Sequence, residues 1–138
     1  LPHPEHLEEL FAFSRIVADT REVPVDILAY LGDAFYNLFF SFDSIQDGRS
    51  SVLQAHLRGR QMKRALGQRM LFEQKKEQLQ PHELDLVRRG MNSRGAKKRG
   101  NDPDYRVSTG FEALLGFHFL KQNWDRLHFL LERAQPDE

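Results

Sequence analysis

The sequence predicts an all-α domain, and three observations carry that expectation. Apolar residues recur at helical spacing along nearly the whole chain, and no stretch of strand length alternates with period two. With 138 residues and 40% hydrophobic content, the chain is the size of one globular domain, large enough to bury a core without disulfides or structural metal.

The first helix is expected over 4–18, with Leu7, Leu10, Phe11 and Phe13 or Ile16 turned inward, ending before "DTREVP". The second runs from about Asp26, which suits an N-cap, to Phe42, with Leu31, Phe35, Leu38 and Phe42 facing the core; the turn-rich "SFDSIQDGRSS" follows. A long basic helix occupies roughly 51–78, with Leu53, Leu57, Met62, Leu66, Met70 and Leu71 as its inner stripe. A short helix opens near "QPHELDLV", where Pro81 suits the first turn, and reaches about Asn92. The Gly-rich, basic "SRGAKKRGNDPDY" then reads as a surface loop, about 94–105, unable to build a core. A fifth helix is expected over about 106–121 and a sixth over about 124–134, the latter carrying Leu127, Phe129, Leu130 and Leu131. No internal repeat divides the chain, so 1–138 is read as a single domain.

The composition excludes some chemistry. There is no cysteine, which rules out thiol nucleophiles, zinc-thiolate sites and disulfide frameworks. No apolar stretch has the length of a bilayer span, and "LPHPEHLEEL" lacks the order of a signal peptide, so a cytoplasmic protein without a membrane partner is expected. Leu1 in place of Met leaves the natural start open.

Formal net charge is zero but unevenly spread. From His56 to Lys76 seven Lys/Arg face Glu73 alone, a net +6; from Arg88 to Arg106 seven more face Asp102 and Asp104, a net +5. The remainder therefore carries −11, and the basic part suits a polyanion.

Two acids stand in apolar helices. Asp33 sits in "LAYLGDAFYNLFF" (28–40) beside Gly32, with Ala29, Tyr30, Tyr36 and Asn37 as its helical neighbours, which places it at the rim of the core. Gly32 permits close approach of another helix or a ligand. Glu112 is embedded among Phe111, Leu114, Leu115 and Phe119, with Ser108 and Thr109 one turn before it and Gly116 one turn after. A buried lone carboxylate would stay protonated, whereas a shared divalent cation lets both acids remain charged. Oxygen-only ligands favour Mg²⁺, or Mn²⁺ as a substitute. An acid in an amphipathic helix is more often at a solvent margin or paired with Arg, and spacing leaves both readings open. No His lies inside either carboxylate motif; His118 reads as a packing residue, and His56 and His82 as secondary candidates for phosphate.

Taken together, "LAYLGDAFY" (28–36), "LVRRGMNSR" (86–94) and "YRVSTGFEALLGFHFL" (105–120) resemble the three ordered signature segments of Mini-ribonuclease III, the compact bacterial branch of the ribonuclease III family. The resemblance covers 28–40 and 84–131. It implies an all-helical homodimer that cuts double-stranded RNA without a separate double-stranded-RNA-binding domain, and that matures precursor large-subunit (23S) ribosomal RNA, where a ribosomal protein could present the substrate. The aspartate of "GDA" and the glutamate of "FEAL" place the catalytic metal ligands on Asp33 and Glu112. Tyr30, Asn37, Ser108 and Thr109 then surround the metal shell, the last two as holders of water. Two further acids of larger family members fall at Ala29 and Thr109; Asn37 stands where the branch usually has Glu, Met91 where it has Arg, and 50–66 matches poorly.

The mechanism this implies is hydrolysis in which Mg²⁺ polarises the scissile phosphate and lowers the pKa of a bound water, with no protein general base. Candidate RNA contacts are Arg88, Arg89, Asn92, Arg94, Lys97, Lys98 and Arg99, with Arg58, Arg60, Lys63 and Arg64 behind them. Phe35, Phe39, Phe40, Phe117 and Phe119 exceed what so small a core needs, and some are candidates for a dimer interface. Two other readings compete: a non-catalytic scaffold of the same fold in a ribonucleoprotein particle, and a helical protein-interaction module.

Overall fold

One helix organises the structure. In the computed structural model, which describes residues 23–45, 52, 65–98 and 100–132, the elements are α1 (Val25–Ser44), α2 (Ala65–Lys75), α3 (Pro81–Met91), α4 (Arg94–Lys97), α5 (Pro103–Leu120) and α6 (Trp124–Leu131). A 3-10 turn, Lys76–Gln78, joins α2 to α3, and no strand occurs among the described residues. α5 starts on Asp102, whose side chain accepts the Asp104 N–H at 3.0 Å, with Pro103 in the first turn. Every residue from Val107 to Gly116 is buried, so α5 has no wet face at its centre. It packs against α1, α2, α3 and α6 and is the axis around which they are laid.

Two glycine crossings set those distances. A Cβ on Gly32 would lie 1.7 Å from the Glu112 carbonyl oxygen, and one on Gly116 would lie 1.9 Å from the Leu28 carbonyl oxygen. α1 and α5 therefore touch backbone to backbone, the close approach that Gly32 permits. Gly90 and Gly110 do the same between α3 and α5, where a Cβ on Gly90 would meet the Gly110 Cα at 2.7 Å.

The inward stripe of α1 corrects the sequence expectation. Leu28, Gly32, Tyr36 and Phe40 face inward, while Leu38 and Phe42, expected inside, are 59% and 61% exposed. The helix rotates so that its glycine, with no side chain to keep the helices apart, faces α5. In α2 the inward residues are Gly67, Gln68, Leu71 and Lys75, and the expected Leu66 and Met70 are exposed. Lys75 reaches the interior by laying its ammonium over the Phe129 ring, 4.5 Å from the centroid. The expected helix at 4–18, and Leu53, Leu57 and Met62, lie outside the described residues.

Part of the aromatic surplus packs within the chain, while Phe35, Phe39, Phe117 and Phe119 stay only partly buried. Phe35 stacks on Phe119 at 5.5 Å, Tyr36 on Phe40 at 4.6 Å, and Phe119 against Trp124 at 5.8 Å.

The basic segment after α3 is not a plain loop, because Ser93 caps a helical turn by accepting the Ala96 N–H at 3.2 Å, while its hydroxyl donates to the Gly90 carbonyl at 2.7 Å. Ala96 is completely buried, so 94–97 is pinned to the body. The α3 start uses a capping box in which the Gln80 N–H donates to Glu83 Oε1 at 2.9 Å. That carboxylate, 1% exposed, also takes Arg126 through Nη2 at 2.6 Å and Nε at 3.0 Å, and the His118 Nε2–H at 2.8 Å. Asn123 Nδ2 donates to His118 Nδ1 at 3.0 Å, which fits the neutral tautomer. Burial alone would raise the Glu83 pKa, but Arg126, the Gln80 N–H and His118 outweigh it and hold it at about 2. Burial pushes His118 down against the pull of Glu83. His118 is thus a buried strut joining α3, α5 and α6, in line with its reading as a packing residue. No helix among the described residues is long and apolar enough to cross a membrane.

Candidate active site

The α1–α5 crossing brings the two acids together. Gly32 seats α1 on the Glu112 backbone, and the next residue, Asp33, then meets the Glu112 side chain in a hydrogen bond. Glu112 is 9% exposed, whereas Asp33 stands in the open mouth of the site. Burial, then the hydrogen bond to Asp33 and its negative charge, push the Glu112 pKa up to about 9. Glu112 therefore keeps its proton at neutral pH, as expected of a buried acid beside a second carboxyl group. Asn37, one turn on, donates through Nδ2 to Asp33 Oδ1 at 3.0 Å and to the Asp33 carbonyl at 2.9 Å. That pair fixes the orientation of the Asp33 carboxylate.

The pair opens into a cleft of about 960 Å³. α1 contributes Asp26 and Tyr30 to its lining, and the segment around α4 contributes Arg94, Gly95 and Lys98. α5 supplies Tyr105, Ser108 and Thr109, and α2 supplies Gln68. The Ser108 and Thr109 hydroxyls both donate to the Tyr105 carbonyl, at 2.8 and 2.9 Å, so only their lone pairs are left to receive a proton from water. The cleft therefore joins an acidic floor to a cationic lip.

A divalent cation fits the floor. One hard ion beside Asp33 would release the protonated Glu112 to ionise. Among the described residues no third His, Asp or Glu joins them. One or two carboxylates, completed by water and substrate phosphate, is the donor set Mg²⁺ ordinarily takes.

Comparison with known proteins bears on what this cleft serves. A Ribonuclease III domain model matches residues 26–123, which takes in α1 to α5 and both acids. The chain belongs to the ribonuclease III family. Its relatives include a Mini-ribonuclease 3 from Kosmotoga olearia, 39% identical over 84% of this chain and 80% of that protein. Another, from Symbiobacterium thermophilum, is 34% identical over 86% of this chain and 92% of its own length. The crystal structure of protein FN1578 from Fusobacterium nucleatum shares the fold, with a TM-score of 0.73 at 22% identity over 82% of this chain and 93% of that one. The chain is a Mini-ribonuclease III type endoribonuclease, of a family that acts on double-stranded RNA.

The positions expected from sequence divide into three groups. Asp33, Glu112, Tyr30, Ser108, Thr109, Arg94 and Lys98 share the cleft, and Asn37 holds Asp33 from behind. Arg88, Arg89, Asn92 and Lys97 do not line it. Arg88 is tied to Asp85, and Asn92 Oδ1 accepts from Arg106 Nη2 at 3.1 Å, so these two are already engaged. Arg58, Arg60, Lys63, Arg64, Arg99 and His56 lie outside the described residues. His82 lies beside the Phe117 ring, centroids 6.1 Å apart, away from the cleft lining.

Sequence reasoning missed two contributors. Arg106, counted only as charge, ties α5 to the α3–α4 corner through the Met91 carbonyl at 3.0 Å. Gln68, in a basic helix, carried no signal that it faces inward.

Proposed function

We propose that this family member is an Mg²⁺-dependent endonuclease for double-stranded RNA, working as a homodimer in the cytoplasm and maturing precursor 23S ribosomal RNA. The meeting of Asp33 and Glu112 in a cleft lipped by Arg94 and Lys98 carries the reading. Asp33 and Glu112 hold the cation, with Mn²⁺ as a substitute, and Asn37 keeps the Asp33 carboxylate turned toward it. When bound, the ion supplies Lewis acidity at the scissile phosphate and an activated water. Arg94 and Lys98 take phosphates next to the cut, and Lys97 and Arg89 extend the basic surface along the duplex. Phosphate and shape dominate recognition of an A-form duplex, which gives the binding work to this domain's own surface.

The homodimer is supported by an apolar strip on α1. Ile27, Leu38 and Phe42 on α1, and Ile45 just past its end, are 50, 59, 61 and 49% exposed, unlike the inward residues of that helix. A two-fold pair of clefts also matches the pseudo-symmetry of a duplex that needs two cuts. Precursor ribosomal RNA, and a ribosomal protein presenting it, follow from the family resemblance.

One assay tests the reading: duplex RNA with Mg²⁺, comparing the parent with Asp33→Asn and Glu112→Gln. Cleavage abolished in both variants with binding retained is the expected result. Binding without cleavage by the parent would point to a scaffold, and neither to an interaction module.

A further inference from the structure

Building on the reading of the cleft as the site where duplex RNA is cut, we propose that Gln68 reads the 2′-hydroxyl beside the scissile phosphate and so makes the enzyme select RNA over DNA. Gln68 is 3% exposed and lines the same cleft as the two acids. The other buried polar side chains are engaged: Glu83 by Arg126 and His118, Ser93 by Gly90 and Ala96, Ser108 and Thr109 by Tyr105, Glu112 by Asp33, and Lys75 over Phe129. Among the described residues no protein group hydrogen-bonds the Gln68 amide, and neither its side-chain nitrogen nor its oxygen is completely buried. Water in the cleft can serve the amide in the free protein, and a substrate that displaces this water must supply a partner in its place or leave a neutral amide unpaired at a cost.

The chemistry of the amide narrows that partner. It offers a donor and an acceptor together and carries no charge. A phosphate oxygen only accepts, and Arg94 and Lys98 in the same lining already provide cations for it. The 2′-hydroxyl both donates and accepts, and it neighbours every phosphodiester of an RNA strand. It is also the group by which a protein tells RNA from DNA at a given position.

The test places one 2′-deoxy nucleotide at the mapped cut site of a duplex RNA and compares kcat/KM for the parent and Gln68→Leu. The parent should lose roughly tenfold on the deoxy duplex, the worth of one hydrogen bond in a site shielded from water. Gln68→Leu should show a comparable loss on the all-RNA duplex and no further loss on the deoxy duplex. A parent indifferent to the single deoxy position, or a Gln68→Leu enzyme that keeps the parent's discrimination while slowing on both duplexes, overturns the proposal; the latter result would assign Gln68 to solvent. A second readout needs no turnover: in the Glu112→Gln background, the ratio of affinities for RNA and DNA duplexes of one sequence should narrow on Gln68→Leu. Should the parent fail to cut duplex RNA while that ratio still narrows, the nuclease reading fails and the role of Gln68 stands. Should cleavage depend on Asp33 and Glu112 while neither readout responds to Gln68, the inference alone fails.

Discussion

The proton held on Glu112 makes a quantitative prediction about stability. A carboxyl whose folded pKa lies above its unfolded value contributes stability that is complete below the unfolded pKa and is lost as pH rises through the folded one. For Glu112 the window runs from 4.5 to about 9. At pH 7 the protein without divalent cation is therefore less stable than one with a neutral isostere by 2.5 pKa units, about 3 kcal/mol. Glu112→Gln keeps the shape and removes the titration. In urea denaturation with EDTA, the variant should exceed the parent by about 3 kcal/mol at pH 7, and the gap should close as pH falls below 4.5. The same proton must leave when a cation binds, so apparent Mg²⁺ affinity should rise about tenfold per pH unit below pH 9. Saturating Mg²⁺ should accordingly raise the stability of the parent and leave Glu112→Gln unmoved. A variant no more stable than the parent at pH 7, or a parent–variant difference that stays flat from pH 5 to 8, would refute the picture of a Glu112 kept protonated by burial and by its neighbour Asp33.

Other perturbations probe the frame and the lip. Gly32→Ala puts a methyl 1.7 Å from the Glu112 carbonyl and should cost roughly 3 kcal/mol or more in chemical denaturation, with loss of Mg²⁺-dependent cleavage. Glu83→Gln breaks the bidentate pair with Arg126 in a buried setting and should cost roughly 3–5 kcal/mol at pH 7. Because the Glu83 pKa is lowered to about 2, its contribution is full above 4.5 and fades as pH falls toward 2, so parent and variant melting curves should converge in acid. Neutralising Arg94 and Lys98 together should reduce the slope of log affinity for duplex RNA against log salt by about one unit for each phosphate no longer neutralised; an unchanged slope would remove that lip from the interface.

How far the sequence revealed the fold depended on where side-chain pattern and backbone packing agree. α3, α5 and α6 were legible because Pro81, the alternation of apolar and polar turns and the Leu127–Leu131 cluster signal both start and content. The orientation of α1 was not, because a hydrophobicity count gives Gly32 no weight although it lies at the closest point of the core. The depth of α5 was no more legible, because its polar Ser108, Thr109 and Glu112 are all inside. α4 escaped notice because a four-residue helix hangs on one Ser cap and one buried Ala96, too little for any periodicity. In the cleft, the acids were legible by being out of character with their helices. Gln68 was not, since a glutamine among Lys and Arg reads as surface until the rest of the cleft is known.

The arrangement also explains why fold and site cannot be varied independently here. The Cβ position of Gly32 overlaps the carbonyl of Glu112 itself, and that of Gly116, one turn further along α5, overlaps the carbonyl of Leu28. The backbone contact that lets α1 lie on α5 is therefore the same contact that delivers Asp33 to Glu112. A larger residue at either glycine separates the helices and the carboxylates by one motion, so its losses in stability and in metal affinity should scale together. Substitutions at the acids behave in the opposite sense, because removing a trapped charge relieves the fold while removing the ligand. Gly32→Ala and Glu112→Gln should thus move stability in opposite directions while both weaken the proposed cation binding, which separates a site assembled by packing from one merely placed upon it.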